Sequence, residues 1–236
     1  MKKTVTLFFA LMMFFNFNAT FAQEEAEESP LSLGADIVSR YVWRGMQLST
    51  SPAIQPSIEY SFGNLTVGTW GSYSFDHVDN QEVDLFVTYT YESFAFTLND
   101  YYSFNTPGNY FEWNNDSTQH AVELMATWSG TESLPLSVTA GVFLYGFDKD
   151  DAGKNSFSSY VEVSYPFDVK GVTLSPVAGV ALNGNMYATD GFGLVNLGVK
   201  AEKEIEINEK FSLPVSASLL TNPDAGDVFL VFGFSF

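Results

Sequence analysis

Asp227-Val228-Phe229-Leu230-Val231-Phe232-Gly233-Phe234-Ser235-Phe236 alternates without interruption to the last residue of the 236-residue sequence. Strand side chains point to opposite faces with period two, so Val228, Leu230, Phe232, Phe234 and Phe236 share one face of an extended strand. A bare apolar strand at a terminus invites edge pairing and aggregation unless a sheet closes on it or lipid covers it. The segment therefore predicts the closing strand of a lipid-facing barrel, or else the last core strand of a secreted sandwich.

The rest of the chain favours the barrel. Leu230, Phe232, Phe234 and the final aromatic Phe236 resemble the assembly signal read by the machinery that inserts bacterial outer-membrane barrels. At the other end, Lys2 and Lys3 precede an apolar run from Leu7 to Phe15, and Thr20-Phe21-Ala22 offers small residues where a signal peptidase cuts. The expected organisation is a signal peptide over 1–22, an acidic leader over 23–30 and a barrel over 31–236. The apolar run is too short to span a bilayer as a helix, and no later stretch reaches the roughly 18 apolar residues that a transmembrane helix needs.

Composition narrows the function classes. There is no cysteine, which removes disulfides, thiolate nucleophiles, thiolate metal sites and a lipoprotein anchor. The net charge of −18 argues against nucleic acid as a partner, because phosphate binding needs basic clusters. Aromatic residues make up 17% and charged residues 16%, fewer charges than the roughly 25% of ordinary globular chains. A protein of this composition that lives in a membrane without spanning helices must do so as a barrel.

Alternation predicts strands over Leu31–Gly45, Ala53–Phe62, Leu65–Phe75, Glu82–Tyr91, Phe94–Tyr102, Ser117–Trp128, Leu134–Phe147, Ser156–Phe167, Val172–Asn183, Gly191–Glu206, Phe211–Leu220 and Val228–Phe236. An even number of strands, with tight turns alternating with longer Asp-, Gly- and Asn-rich loops, is the pattern of single-chain bacterial barrels. Lipid-facing stripes are expected to include Ile37, Tyr41 and Trp43; Ile58, Tyr60 and Phe62; Leu85, Val87, Tyr89 and Tyr91; and Val195, Leu197 and Val199. Aromatic residues gather at both ends of the stripes, with Trp43, Phe75, Tyr102 and Phe157 outside and Phe62, Tyr91, Phe94, Trp128, Phe167 and Phe211 inside, as interface girdles do. Asp100 breaks the stripe and suggests a bulge or the outer rim. Lys203 must lie near enough to an interface to snorkel.

The stretches Ser39-Arg40-Tyr41-Val42-Trp43-Arg44-Gly45, Pro52-Ala53-Ile54-Gln55-Pro56-Ser57-Ile58-Glu59-Tyr60 and Val67-Gly68-Thr69-Trp70-Gly71-Ser72 resemble, in order, the opening hairpin and third strand of the TorF-type porin family, also called Gcw_chp. The resemblance covers about the first third of the exported chain. It implies an outer-membrane barrel, and it supplies no catalytic residues. Pro52 and Pro56 have to occupy a loop or a non-bonding strand position.

On the expected inner face Asp36, Arg40, Arg44, Gln55, Glu59, Trp70, Glu82, Asp84, Glu123, Tyr145, Tyr160, Glu162, Asn196, Lys200 and Glu202 converge, with Arg40 and Arg44 on the first strand facing Gln55 and Ser57. Ionisable groups at membrane depth normally face a lumen or one another. They can line a path for small solutes, or they can form internal salt bridges that plug the barrel and leave it a structural or adhesive role through its acidic loops. The loop Asp148-Lys149-Asp150-Asp151-Ala152-Gly153 lacks the fifth-position acid and closing Glu of an EF-hand. Tyr110-Phe111-Glu112-Trp113 can stack on a ligand or anchor the rim. A lipase or deacylase needs a histidine activating a serine or holding a water; His77 and His120 lack such a companion. The sequence therefore predicts a Gram-negative outer-membrane barrel in contact with lipid and lipopolysaccharide, a porin-like path for an unidentified small solute through a net acidic lumen, and no catalytic residue, cofactor or metal.

Overall fold

The computed structural model describes residues 29–76, 78–105 and 108–236; the expected signal peptide, most of the acidic leader and His77 lie outside them. Twelve antiparallel strands close into a barrel. In chain order they are β1 (Leu31–Val38), β2 (Ala53–Phe62), β3 (Leu65–Ser74), β4 (Gln81–Tyr91), β5 (Phe94–Ser103), β6 (His120–Trp128), β7 (Ser137–Gly146), β8 (Ser159–Ser164), β9 (Thr173–Asn183), β10 (Gly193–Asn208), β11 (Phe211–Asn222) and β12 (Asp227–Ser235). A two-residue strand, Phe167–Asp168, extends the wall beside β9.

Closure falls between the first and last strands. Asp36, Ile37 and Val38 pair with Ser235, Phe234 and Gly233. The Phe236 amide donates to the Ala35 carbonyl at 2.9 Å, and the Ser39 amide to the Phe232 carbonyl at 2.8 Å. The alternating C-terminal segment is thus the strand that shuts the barrel. Val228, Leu230, Phe232, Phe234 and Phe236 are all exposed on the outside, while Phe229 is buried within. Short turns at 63–64, 92–93 and 209–210 mark one end of the barrel, and the longer loops 39–52 and 147–158, with the described residues 104–105 and 108–119, mark the other.

Ile58, Tyr60, Phe62, Leu85, Val87, Tyr89, Tyr91, Phe96, Leu98, Leu124 and Leu219 stand exposed on the outer wall. Such an apolar surface is far larger than a soluble monomer leaves bare, and it is compatible with an outer-membrane barrel. Among the described residues no helix is long and apolar enough to cross a membrane. Pro52 ends the loop before β2, and Pro56 falls in a gap of the β2–β3 ladder, which passes from Ile54↔Tyr73 to Ser57↔Trp70. A missing amide donor costs nothing at either place.

Several sequence expectations fail, each for a local reason. The first strand does not run to Gly45: it leaves the wall after Val38, and Val42–Trp43 pairs with Met46–Gln47 as a small hairpin inside the barrel. Tyr41 and Trp43, expected to face lipid, therefore lie in the lumen. Val195, also expected outside, points inward and is fully buried, because the register against β9 shifts between Val180↔Leu194 and Gly179↔Asn196 and leaves one extra residue on β10. Tyr145 moves the opposite way. The β6–β7 register jumps from Val122↔Tyr145 to Glu123↔Phe143, which turns Tyr145 outward with Val122, where its hydroxyl bonds the Trp113 carbonyl. Asp100 needs no bulge, since the ladders on both sides of β5 run unbroken. It faces out and is paired with His120, Oδ1 to Nδ1 at 2.8 Å. The run Tyr110–Trp113 folds over this pair: Trp113 stacks on the imidazole with centroids 3.8 Å apart, and Nε2 of His120 meets the Tyr110 carbonyl at 2.6 Å.

Candidate functional site

The site is the barrel interior and the hairpin that enters it. Arg44 and Gly45 form its two-residue turn, both at positive φ, 48° and 77°. That is the backbone required by the tight turns that join strands of natural twist, and Gly is favoured in it. A Cβ on Gly45 would run into the Val195 carbonyl, so this turn also needs a hydrogen where the chain passes the bulge of β10.

Arg44 adopts the left-handed region without being glycine, at a cost of about 1 kcal/mol or more, and its side chain holds the turn in place. Its Nη1 donates to Glu123 Oε1 at 2.7 Å and to the Tyr187 hydroxyl at 2.5 Å, and its Nη2 donates to Glu123 Oε2 at 3.1 Å. This is a bidentate pair, with Arg44 7% exposed and Glu123 fully buried. The guanidinium carbon also lies 4.5 Å from the ring centroids of both Trp43 and Tyr160, within cation–π range. Trp43 stacks on Tyr187, at 5.8 Å and 11°. Tyr101 donates to Glu123 Oε2 at 2.8 Å, and Asn99 donates to the Tyr101 hydroxyl at 2.9 Å. Gly141 makes room opposite, since a Cβ there would strike Glu123 Oε1.

A second anchor lies at the long-loop end. The amides of Thr50 and Ser51 and the Thr50 hydroxyl all donate to Asp79 Oδ2, at 3.0, 3.0 and 2.8 Å. The Thr50 hydroxyl, helped by the Ser51 amide, holds the Asp79 carboxyl below the usual carboxylate range.

Beneath the hairpin a cavity of about 740 Å³ reaches the short-turn end, where Glu92, Ser93 and Glu132 line it. Its upper boundary is Arg40–Arg44. Of the residues expected in the lumen, Arg40, Arg44, Gln55, Glu59, Trp70, Asp84, Tyr160 and Glu162 line this space. They do not form the expected ladder of Arg40 and Arg44 against β2. Gln55 donates to Ser72 at 3.2 Å, Arg40 approaches Gln47 at 3.5 Å, and Arg44 crosses the lumen to β6, because the chain has left the wall before either arginine. Glu82 accepts from Asn80 at 2.6 Å, Glu162 accepts from Tyr160 and Asn196 at 2.5 and 2.9 Å, and Lys200 pairs along its own strand with Glu202 at 2.7 Å. Asp36 shares the inward face of β1 and sits across from Gln55.

A family model described as a bacterial protein of unknown function, Gcw_chp, matches residues 22–212. The chain belongs to the Gcw_chp family. The matched span takes in the inner hairpin and every partner of Arg44 named above. No curated protein matches the chain.

Within this Gcw_chp barrel, Tyr101 and Met125, whose sulfur lies 3.3 Å from Arg44 Nη2, were open to sequence reading, since they alternate with the inward Asn99 and Glu123. Tyr187 carried no such signal. It belongs to the short 3-10 turn Asn185–Tyr187 in a loop and enters the site through tertiary packing alone.

Proposed function

We propose that the chain is exported by its N-terminal signal peptide and inserted by the barrel-assembly machinery into the outer membrane of a Gram-negative bacterium. There it acts as a porin-like path for small solutes, gated by its own first outer loop. The observation that carries this reading is the hairpin lying across the lumen above a cavity, lined by aromatic and charged side chains, that the chain itself leaves open: a barrel with only a structural task has no need of about 740 Å³ of lined interior. Glu59, Asp84, Glu92, Glu132 and Glu162 line that cavity against Arg40 and Arg44, and Arg44 is already neutralised by Glu123. Fixed charge in a confined path acts more strongly than on an open surface, which supports cations as the favoured solutes. In this reading the apolar outer wall meets lipid, the loops meet lipopolysaccharide, and no residue has a catalytic task.

The second reading is a permanently plugged structural or adhesive barrel, favoured by one observation, the buried bidentate Arg44–Glu123 pair. Single-channel recording of refolded protein in a planar bilayer separates the two. The gated path predicts small or infrequent currents from the wild type and larger ones from Gly45→Val, whose side chain cannot pass the Val195 carbonyl. In a salt gradient, Glu59→Gln should lower cation preference and Arg40→Gln should raise it. Correctly folded wild type and Gly45→Val that both carry no current would overturn the path and leave the plug.

A further inference from the structure

Several lumen acids have no counterion, and among them Asp84 also keeps an oxygen without a partner. Asp84 is 6% exposed, and its Oδ1 has no hydrogen-bond partner. Its cross-strand neighbours are Trp70 on β3 and Tyr101 on β5. Tyr101 is committed to Glu123, and Arg44 to the same carboxylate. The next inward residue up the strand is Glu82, a second acid whose carboxyl hydrogen-bonds that of Asp84, so the partner it offers is another acid and not a cation. Ion pairs among the described residues join Arg44 to Glu123 and Lys200 to Glu202, His120 hydrogen-bonds Asp100, and none of these contacts includes Asp84.

An ionised carboxylate taken out of water without a partner costs several kcal/mol, so this position takes up either a proton or a cation. Its surroundings say which kind of cation fits. Among the described residues no group of three or more His, Asp or Glu is placed to hold a metal ion. Asp84, the carboxylate of this strand that lines the cavity, and the aromatic rings beside it offer a poor replacement for the hydration shell of a small hard ion, which prefers several oxygen ligands. They suit an ammonium group attached to an apolar body. Tyr41 from the hairpin meets Trp70 edge-on, with ring centroids 5.4 Å apart, and both line the cavity with Phe86 and Asp84. The cavity volume lies within the roughly 300–1,000 Å³ of small-molecule sites, and Glu92 and Glu132 at its mouth attract positive charge toward it.

We infer that the cavity is a binding station for a small organic cation, a primary ammonium on an aromatic or other apolar body. Asp84 is its counterion, and Trp70, Tyr41 and Phe86 are its apolar wall. The station rests on the reading of the lumen as a path for small cations and names the chemistry that path selects. Because Tyr41 belongs to the hairpin, an occupant touches the gate and the wall together, so binding and gate position are coupled.

Tyramine and 4-ethylphenol, which differ by the ammonium group, serve as probes with refolded full-length protein in detergent, followed by calorimetry and tryptophan fluorescence. Tyramine should bind saturably and about tenfold or more tighter than 4-ethylphenol, and Asp84→Asn should weaken tyramine by about tenfold or more while leaving 4-ethylphenol unchanged. Equal affinity for the two probes, or tyramine binding that Asp84→Asn does not alter, would overturn the station and leave a protonated acid pair. If the Asn variant does not refold, the affinity ratio in wild-type protein and the loss of tyramine-induced quenching in Trp70→Phe decide in its place. Bilayer current reports the path separately: Asp84-dependent binding without current keeps the station and refutes the path, whereas current with no Asp84 dependence does the reverse.

Discussion

Replacing Glu123 by Gln probes what holds the hairpin inside. The carboxylate receives Arg44 through both oxygens and Tyr101 through one of them, and it is fully buried. The amide keeps the shape and one acceptor oxygen but leaves the guanidinium, itself 7% exposed, without its anion. Removing one partner of a buried pair typically costs about 3–5 kcal/mol. The Tyr187 hydroxyl and the two rings at 4.5 Å remain to accommodate the charge, which places the expected loss near the lower end, at about 3 kcal/mol. If that loss falls on docking alone, the docked population drops by a factor of about 150 relative to the released one. The Leu48 amide, bonded to the Tyr41 carbonyl at 2.8 Å across the hairpin, reports this directly by hydrogen exchange in refolded protein. Its protection should fall by about two orders of magnitude, and bilayer currents should lengthen in step. The double replacement Arg44→Met with Glu123→Leu should restore protection to near the wild-type level, since an apolar pair of similar volume often matches a buried ion pair. Leu48 protection in Glu123→Gln within about threefold of wild type would refute the ion pair as the latch.

Other outcomes follow from the closing strand, the turn and the loop anchor. Phe236→Ala, or a polar tail after Phe236, should leave export intact but cut the yield of heat-modifiable barrel in the outer membrane; normal yield would refute its role as the assembly signal. Gly45→Ala should release the hairpin, because it brings both a strained φ and a clash with the Val195 carbonyl, and limited proteolysis within 39–52 should quicken relative to wild type. For Asp79 the folded carboxyl titrates below its unfolded value, so its contribution is complete above roughly pH 4 and is lost as pH falls through the lowered value. Exchange at the Thr50 and Ser51 amides should therefore accelerate on acidification below that range and lose this acceleration in Asp79→Asn.

The wall was legible in the sequence because its signal is local: period two assigns each face, and tight turns alternating with long loops assign each end. Gln55, Glu59, Trp70, Glu82, Asp84, Glu123, Tyr160 and Glu162 all point inward as the alternation requires. The hairpin was not legible, since Ile37, Tyr41 and Trp43 preserve the strand pattern through the point where the chain departs. Only the left-handed pair Arg44-Gly45 marks the departure, and its meaning depends on Glu123, 79 residues away. Val195 and Tyr145 were misplaced for a related reason. A bulge arises between two strands, and neither sequence records it alone. The partner of Asp100 was hidden too, because His120 meets it only once β5 and β6 are side by side.

The early exit of β1 shapes the wall as well as the lumen. β12 extends from Asp227 to Ser235, yet β1 accompanies it only from Phe232 onward. Along Asp227–Val231 the last strand has β11 on one flank and no ladder on the other. The cylinder therefore carries a notch at its long-loop end, next to the place where the chain dives inside. The segment from Ser39 to Trp43 is the length of chain that would fill that notch if it stayed in the sheet. Stopper and missing stave are one piece of polypeptide, so the opening proposed for the gate would clear the interior by re-laying the wall, without a loop being expelled into the surrounding water.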